Sequence, residues 1–288
     1  MVVLVTGANG QLGQALQFIS EKHKDIDFVF CSSSELDIAD NVMCESVFEK
    51  YKPQFCINTA AYTAVDKAES ETEKAHAVNV IGAKNIAEAC KKANTTLLHI
   101  STDFVFDGEQ SKPYSENDLP NPTGVYGQTK LDGETEIMNT WEKYFIIRTS
   151  WVYSQFGNNF MKTMLRLAAE RDTLSVVNDQ IGTPTNAVDL AEALVGMIYF
   201  CEGQPIGTNR YGIYNFSNEG QCSWYDFAQK IFEVNKIAIT VNPIPTSGFP
   251  TPARRPKYSV LDKTKIKRTF EIDIKKWEEA LQPFPSVV

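Results

Sequence analysis

Residues 2–16, VVLVTGANGQLGQAL, constrain this chain more than any other stretch. Val2, Val3, Leu4 and Val5 form a run too short for a helix and rich in β-branched side chains. That is the mark of a strand buried on both faces of a parallel sheet. Thr6 and Gly7 end it. Gly7, Gly10 and Gly13 then fall at three-residue spacing ahead of a helical pattern carried by Leu12, Ala15 and Leu16. Strand, glycine turn and helix start, in that order, make a phosphate site. Missing side chains admit a diphosphate to the backbone, and free N–H groups with the helix dipole supply positive potential. The plain alternative is a βα turn that merely contains glycines.

The next hundred residues repeat the alternation. Asp27–Cys31 reads as a second strand ending in Cys31-Ser-Ser-Ser34, without an acid to hold the adenosine ribose hydroxyls and repel a 2′-phosphate. This favours NADPH and leaves NADH open. Leu36, Asp37 and Ile38 follow. Asp37 and Ile38 stand toward the adenine end, although Asp37 could equally cap a helix over Asn41–Tyr51. A third strand spans Gln54–Ala61 and leaves through small residues, Ala60 and Ala61 ahead of Tyr62, which lets a cofactor lie close. A long helix is expected over Val65–Ala93, its opening acids mostly a solvated face. Asn79, in its apolar middle, is costly unless hydrogen-bonded. Leu97–Asp103 and Phe145–Arg148 complete the sheet.

Strand and helix alternating in this way predict an α/β fold, a doubly wound parallel Rossmann-type sheet. From Trp151 the rhythm changes, with a helix near Asn159–Arg171 and proline-bearing loops. Ala187–Phe200 is apolar enough to return to the sheet. The division expected is therefore a dinucleotide-binding domain over 1–150 and roughly 172–216, and a smaller substrate lobe over roughly 151–171 and 217–288.

Size and charge narrow the function. The 288 residues, 43% hydrophobic and 22% charged, suit a soluble globular protein with room for a core. No apolar run is long enough to span a bilayer, and the residues a signal peptide would use are spent on strand and glycine turn. Six scattered cysteines read as buried hydrophobes in a reducing cytoplasm. A net charge of −8 argues against nucleic-acid binding. The three histidines have no metal-ligand spacing, so no metal is expected.

Tyr126-Gly-Gln-Thr-Lys130 puts a phenol and an ammonium one helical turn apart. A cation beside a tyrosine, together with cofactor charge, favours the phenolate and brings its pKa toward the working range. The same lysine can hold a cofactor ribose. Thr102, at the carboxyl end of a strand, can hold a substrate carbonyl, though taken alone it reads as a strand-end cap. Trp151 alone would read as a core aromatic.

The set TGANGQLG, Asn58-Thr-Ala-Ala61, Ala64-Val-Asp-Lys-Ala-Glu69, Ser101-Thr-Asp-Phe-Val-Phe-Asp-Gly108, the Tyr126/Lys130 pair and Arg148-Thr-Ser-Trp-Val-Tyr153 resembles the extended short-chain dehydrogenase/reductases. Within them it resembles the dTDP-4-dehydrorhamnose reductase family. Gly157-Asn-Asn-Phe160, Asn178-Asp-Gln180, Pro184-Thr185 and Pro250-Thr-Pro-Ala-Arg-Arg-Pro256 carry the likeness nearly to the C-terminus. The resemblance implies reduction of a C4 ketone of a sugar nucleotide by NADPH or NADH, with Tyr126 as proton donor, Lys130 tuning it and Thr102 on the carbonyl. It implies a dinucleotide held by Gly7, Gly10, Gln11, Leu12, Gly13, Asp37, Ile38, Ala60, Ala61, Tyr62, Tyr126 and Lys130, and substrate contacts from Thr102, Asp103 and Trp151. It also implies the last step of dTDP-rhamnose synthesis for cell-surface polysaccharide, downstream of a 3,5-epimerase. Arg254 and Arg255 are candidates for the substrate diphosphate, or else a solvated loop. Some members gather magnesium at a dimer contact through glutamates; Ala15 and Val188 stand in those places here. The rival readings are an epimerase or dehydratase of the same superfamily, with Phe104 after Asp103 counting against a dehydratase, and a non-catalytic dinucleotide-binding subunit.

Overall fold

The computed structural model describes residues 1–203 and 210–283. The first strand, β1 (Val2–Thr6), lies one strand in from the edge of a six-stranded sheet and alternates its side chains between two cores. Val3 and Val5 enter one with Leu16, Ile57, Leu98 and Ile147; Leu4 enters the other with Cys56, Ile86, Leu97 and Ile146. A strand sealed on both faces must be apolar at every position, which is why this run shows no polar alternation. Helix α1 (Gln11–Ser20) covers the first face, β2 (Asp27–Cys31) pairs with β1, and α2 (Asn41–Tyr51) and β3 (Phe55–Asn58) follow. Helix α3 (Gly82–Ala93), β4 (Thr96–Thr102), α4 (Val125–Thr140) and β5 (Tyr144–Thr149) extend the layers.

Outside this sheet, α5 (Phe160–Glu170) and β6 (Thr173–Val177) begin the second lobe. Helix α6 (Ala187–Glu202) returns to pack on α1, and β7 (Gly212–Asn215) closes the sheet beside β5. The chain then leaves again through α7 (Trp224–Val234) and β8 (Thr240–Ile244). All pairings within the six-stranded sheet are parallel, in the order β7-β5-β4-β3-β1-β2. The order reverses between β1 and β3, and the crevice beyond strand ends at such a reversal is where open α/β sheets bind ligands.

Several expectations change. The helix expected over Val65–Ala93 is four pieces: Val65–Ala68, Thr72–His76, a π turn at Ala77–Ile81, and α3. Its acids are not all solvated. Glu69 Oε1 accepts the Val125 N–H at the start of α4, and Asp66 accepts from Arg255 and from the Ala253 N–H. Asn79 escapes its desolvation cost by bonding the Tyr62 N–H and carbonyl and the Thr129 hydroxyl. Asp37 does not cap α2. Asp40 does, accepting from Val42 and Met43, while Asp37 closes a local turn onto the Ala39 N–H.

The re-entry into the sheet lobe falls later than 172. Strand β6 pairs with β8, and Leu174 and Val176 pack with Phe227, Ile231 and Trp277 in the core of the second lobe. The parts of the lobe assignments on 204–209 and 284–288 lie outside the described residues. Among the described residues all six cysteines are free thiols, no helix is long and apolar enough to cross a membrane, and no cluster of metal-ligating side chains occurs.

Candidate active site

A cleft of about 720 Å³ opens at the β1/β3 reversal and reaches under the second lobe. One wall is the glycine turn. Gly7 has φ +65°, and a Cβ there would lie 2.7 Å from the Ala60 nitrogen; a Cβ on Gly13 would lie 2.5 Å from the Gly7 carbonyl oxygen. These two glycines therefore shape the turn. Gly10 stands at the N-cap of α1, exposed and with no side chain capping the helix. The amides of the first helical turn face the cleft, whose lining includes Gly10, Gln11 and Leu12. That open, uncapped cradle fits a dinucleotide diphosphate.

Gln11 also ties this wall to the opposite one. Its amide oxygen accepts from Asn159 (2.9 Å) and Ser154 (3.2 Å), and Gly157 stands against its side chain at φ +58°.

Thr102, Asp103, Tyr126 and Lys130 line the same cleft, with Ala61 and Thr59 from the loop after β3. Tyr126 and Lys130 sit on one face of α4, which is anchored by Glu69 at its start and by a buried pair at its middle. In that pair Arg148 grips Glu134 through Nε (3.0 Å) and Nη2 (2.6 Å), and Ser101 donates to the same carboxylate. The Thr102 hydroxyl donates to Asp103 (3.1 Å) and accepts the Phe104 N–H (3.2 Å), so it is both a strand-end cap and a cleft group. Phe104 packs edge-on against the Tyr126 ring at 5.5 Å between centroids.

The electrostatics correct one expectation. Lys130 does not draw the phenol toward neutrality. The crowded cleft strips water from Tyr126 and pushes its pKa up to about 12; a Thr102 hydrogen bond opposes this and the Asp103 charge adds to it. The phenol is thus a proton carrier across neutral pH. Lys130, 2% exposed, turns inward to the Ile100 carbonyl at 2.7 Å. Burial lowers its pKa to about 8 against the pull of Glu134. Burial likewise raises Asp103 to about 6, against hydrogen bonds from Ser259 and Thr102. Its Oδ2 is buried without a partner.

The far wall is aromatic. Trp151 has φ +46°, a left-handed conformation costly for a bulky residue and typical of constrained sites. It is held there by stacking on Trp224, centroids 3.5 Å apart, and by lying against Gly182, where a Cβ would come within 2.5 Å of the indole. Phe160, Gln180 and Arg255 complete this side. Arg255 reaches Asp66 at 2.8 Å and lines the cleft; Arg254 is 60% exposed, pairs with Glu109 and does not line it.

Asp37, Ile38, Ala60 and Tyr62 do not line the cleft. Ile38 is buried beneath Gly82, Ala60 backs the glycine turn, and the Tyr62 ring packs with Ala68 and Ala75. At the end of β2 an acid does stand by: Glu35 folds back so that its carboxylate accepts from the Ser32 N–H (2.8 Å) and hydroxyl (2.7 Å). The serine run hid it, because the acid lies beyond the strand. Trp224 and Gln180 were also missed as site residues; Trp224 opens α7 and Gln180 lies on a loop, and no spacing in the sequence joins them.

The whole chain matches one family. The family described as RmlD substrate binding domain matches residues 1–286. The chain belongs to the dTDP-4-dehydrorhamnose reductase family. It is similar to the dTDP-4-dehydrorhamnose reductase of Aggregatibacter actinomycetemcomitans, 45% identical over 287 residues that cover 97% of each chain. Among solved structures it resembles the reductase of Clostridium acetobutylicum (TM-score 0.92, 42% identity, covering 98% of this chain and 97% of that one). It also resembles the reductase of Bacillus anthracis in complex with NADP (TM-score 0.91, 40% identity, covering 97% of this chain and 96% of that one).

Proposed function

We propose that the protein reduces the C4 ketone of dTDP-4-dehydro-L-rhamnose to give dTDP-L-rhamnose, using NADPH and accepting NADH. One observation carries this reading: Thr102, Tyr126 and Lys130 share a single cleft with an uncapped helix start at the point where strand order reverses. Bound there, the reduced dinucleotide supplies hydride to the carbonyl carbon.

The chain does the rest. The Tyr126 phenol, protonated throughout the neutral range, gives its proton to the oxygen as it becomes an alkoxide. The Thr102 hydroxyl, released from Asp103, donates to the same oxygen. Lys130 holds the nicotinamide ribose with an N–H spent on neither Ile100 nor His99. The first-turn amides of α1 at Gln11, Leu12 and Gly13 hold the diphosphate, in a turn that Gly7 and Gly10 keep open. Ala61, in the cleft, and Asp37, exposed beyond β2, border the adenosine end, with Ile38, Ala60 and Tyr62 packed behind them. The Glu35 charge at the end of β2 supports use of NADH beside NADPH. Asp103 and Trp151 bind the hexose, with the sheet lobe taking the dinucleotide and the second lobe the sugar nucleotide. The enzyme then acts in the cytoplasm at the last step of dTDP-rhamnose synthesis, after a 3,5-epimerase.

The test is direct. The protein mixed with NADPH and dTDP-4-dehydro-L-rhamnose should consume reduced cofactor stoichiometrically with sugar, read by absorbance. Turnover of a sugar nucleotide with no net cofactor change would make it an epimerase or dehydratase. Binding without turnover would make it a regulatory subunit.

A further inference from the structure

One buried ionisable group has no part in the chemistry above. His99 lies on β4, fully enclosed, with Nε2 3.2 Å from Lys130 Nζ and Nδ1 3.0 Å from the Asn58 amide. The other end of that amide meets the Thr6 hydroxyl at 2.6 Å, and Thr6 Oγ1 also accepts the Ala60 N–H behind the glycine turn. Sheet register puts Thr6 beside Asn58 and Asn58 beside His99 on three neighbouring strands. Four polar side chains thus run crosswise beneath the cleft, from Lys130 to the base of the glycine turn. Each alone would be expensive in an apolar sheet; joined, they satisfy one another.

We propose that His99 is a positioning residue for Lys130 and that, through Asn58 and Thr6, it ties the lysine's charge state to the seat of the glycine turn. The proposal rests on the role given to Lys130 above. A neutral imidazole has one donor and one acceptor nitrogen, and burial beside the Lys130 cation keeps His99 neutral. When Lys130 is an ammonium it donates to Nε2, so the ring proton sits on Nδ1. The Asn58 amide must then turn its oxygen to the ring and its nitrogen to Thr6. When Lys130 is a free amine it accepts from Nε2–H. The amide then turns over, nitrogen to the ring and oxygen to the Thr6 hydroxyl, which is the arrangement of atoms seen here. No proton crosses the amide. What passes along the row is the direction of each hydrogen bond.

Lys130 also donates to the Ile100 carbonyl of β4; on its own helix Glu134 acts on it through charge and Tyr126 lines the same cleft one turn away, with Asp103 acting on the phenol. Glu134 is occupied by Arg148 from β5 and Ser101 from β4. Among these, His99 alone offers a contact whose donor and acceptor can exchange as the lysine titrates.

Long-range proton–nitrogen NMR of uniformly labelled protein tests this without turnover. The chain has three histidines, and a variant carrying His23→Gln and His76→Gln leaves the His99 signals alone. The expected result, between about pH 6 and 10, is a neutral His99 that changes from the Nδ1–H to the Nε2–H tautomer, and no such change in Lys130→Met. Nitrogen shifts that stay fixed over that range, or that move equally in Lys130→Met, overturn the proposal.

Kinetics adds a second arm. His99→Phe takes an acceptor from the ammonium, so the alkaline limb of the kcat profile should move to lower pH and kcat should fall about tenfold. KM for the sugar nucleotide should hold, and His99→Gln should recover most of the loss. A folded His99→Phe protein with an unmoved limb overturns the proposal. Absence of ketose reduction in the unsubstituted protein would instead count against the proposed function, leaving the spectra to decide the row.

Discussion

The two walls of the cleft are built differently. The glycine-turn wall presents backbone: amides of one helix start, and small residues at strand ends that let a ligand approach. Most of its buried polar atoms are paired beneath the surface, as in the Thr6–Asn58–His99 row and the Glu134–Arg148 pair, where only Arg148 Nη1 lacks a partner. The opposite wall presents side chains from separate elements, the Trp151–Trp224 stack, Phe160, Gln180 and Arg255, and between the walls Asp103 at the end of β4 holds out an unpaired oxygen. The first wall is finished before any ligand arrives. The second is left with unmet polar and aromatic surface for the ligand to complete.

If that contrast holds, damage to the finished wall should appear as lost stability, and damage to the other as lost catalysis or affinity. Arg148→Met should have the largest effect. It leaves Glu134 charged in the interior with only the Ser101 hydroxyl, at a cost of about 3–5 kcal/mol, to be read by chemical denaturation. A loss below about 1 kcal/mol would mean the pair is dispensable.

Tyr126→Phe should leave the melting temperature and cofactor affinity nearly unchanged while slowing ketone reduction at least ~100-fold. Near-normal turnover would put the proton donor elsewhere.

Asp103→Asn sharpens the comparison through pH. The carboxyl's pKa is raised by burial to about 6 from 3.8, so the folded state holds a proton that the unfolded chain gives up. That contribution is complete below the unfolded value and is lost as pH rises through about 6. Above pH 7 the asparagine variant should therefore be more stable, by at most ~3 kcal/mol, and the gap should close near pH 4. Melting curves that differ by the same amount at both pH values would contradict the assignment. Sugar-nucleotide binding should weaken in the same variant.

The smallest effect is expected from Trp224→Ala. Loss of the stack that holds Trp151 should raise the sugar-nucleotide KM about tenfold and leave the cofactor KM alone. An equal rise in both would erase the distinction between the walls.

The same contrast explains what could be read from the chain. The sheet was legible because its constraints are local. Four consecutive aliphatics name a doubly buried strand, and Asp27–Cys31 and Asn41–Tyr51 fall where their patterns end. The Tyr126/Lys130 pair was legible because one helical turn fixes it. The break at Ser70–Glu71 was not, since what stops that helix is partly Glu69 leaving to cap α4 some fifty residues away. Glu35 was hidden because it reaches back to Ser32 by a turn and not along the strand. Trp224 meets Trp151 and Phe160, and Gln180 shares their cleft, only through tertiary packing, so no spacing joins them in sequence.

The central claim is that Tyr126 hands its proton to a ketone lying between it and the dinucleotide. A crystal structure with NADP and a dTDP-sugar measures this most directly. The hexose C4 oxygen should lie within hydrogen-bond reach of both Tyr126 Oη and Thr102 Oγ1, with the nicotinamide ring on the other face of the sugar. A ring turned away from the phenol, with no room for a hexose between them, would contradict it.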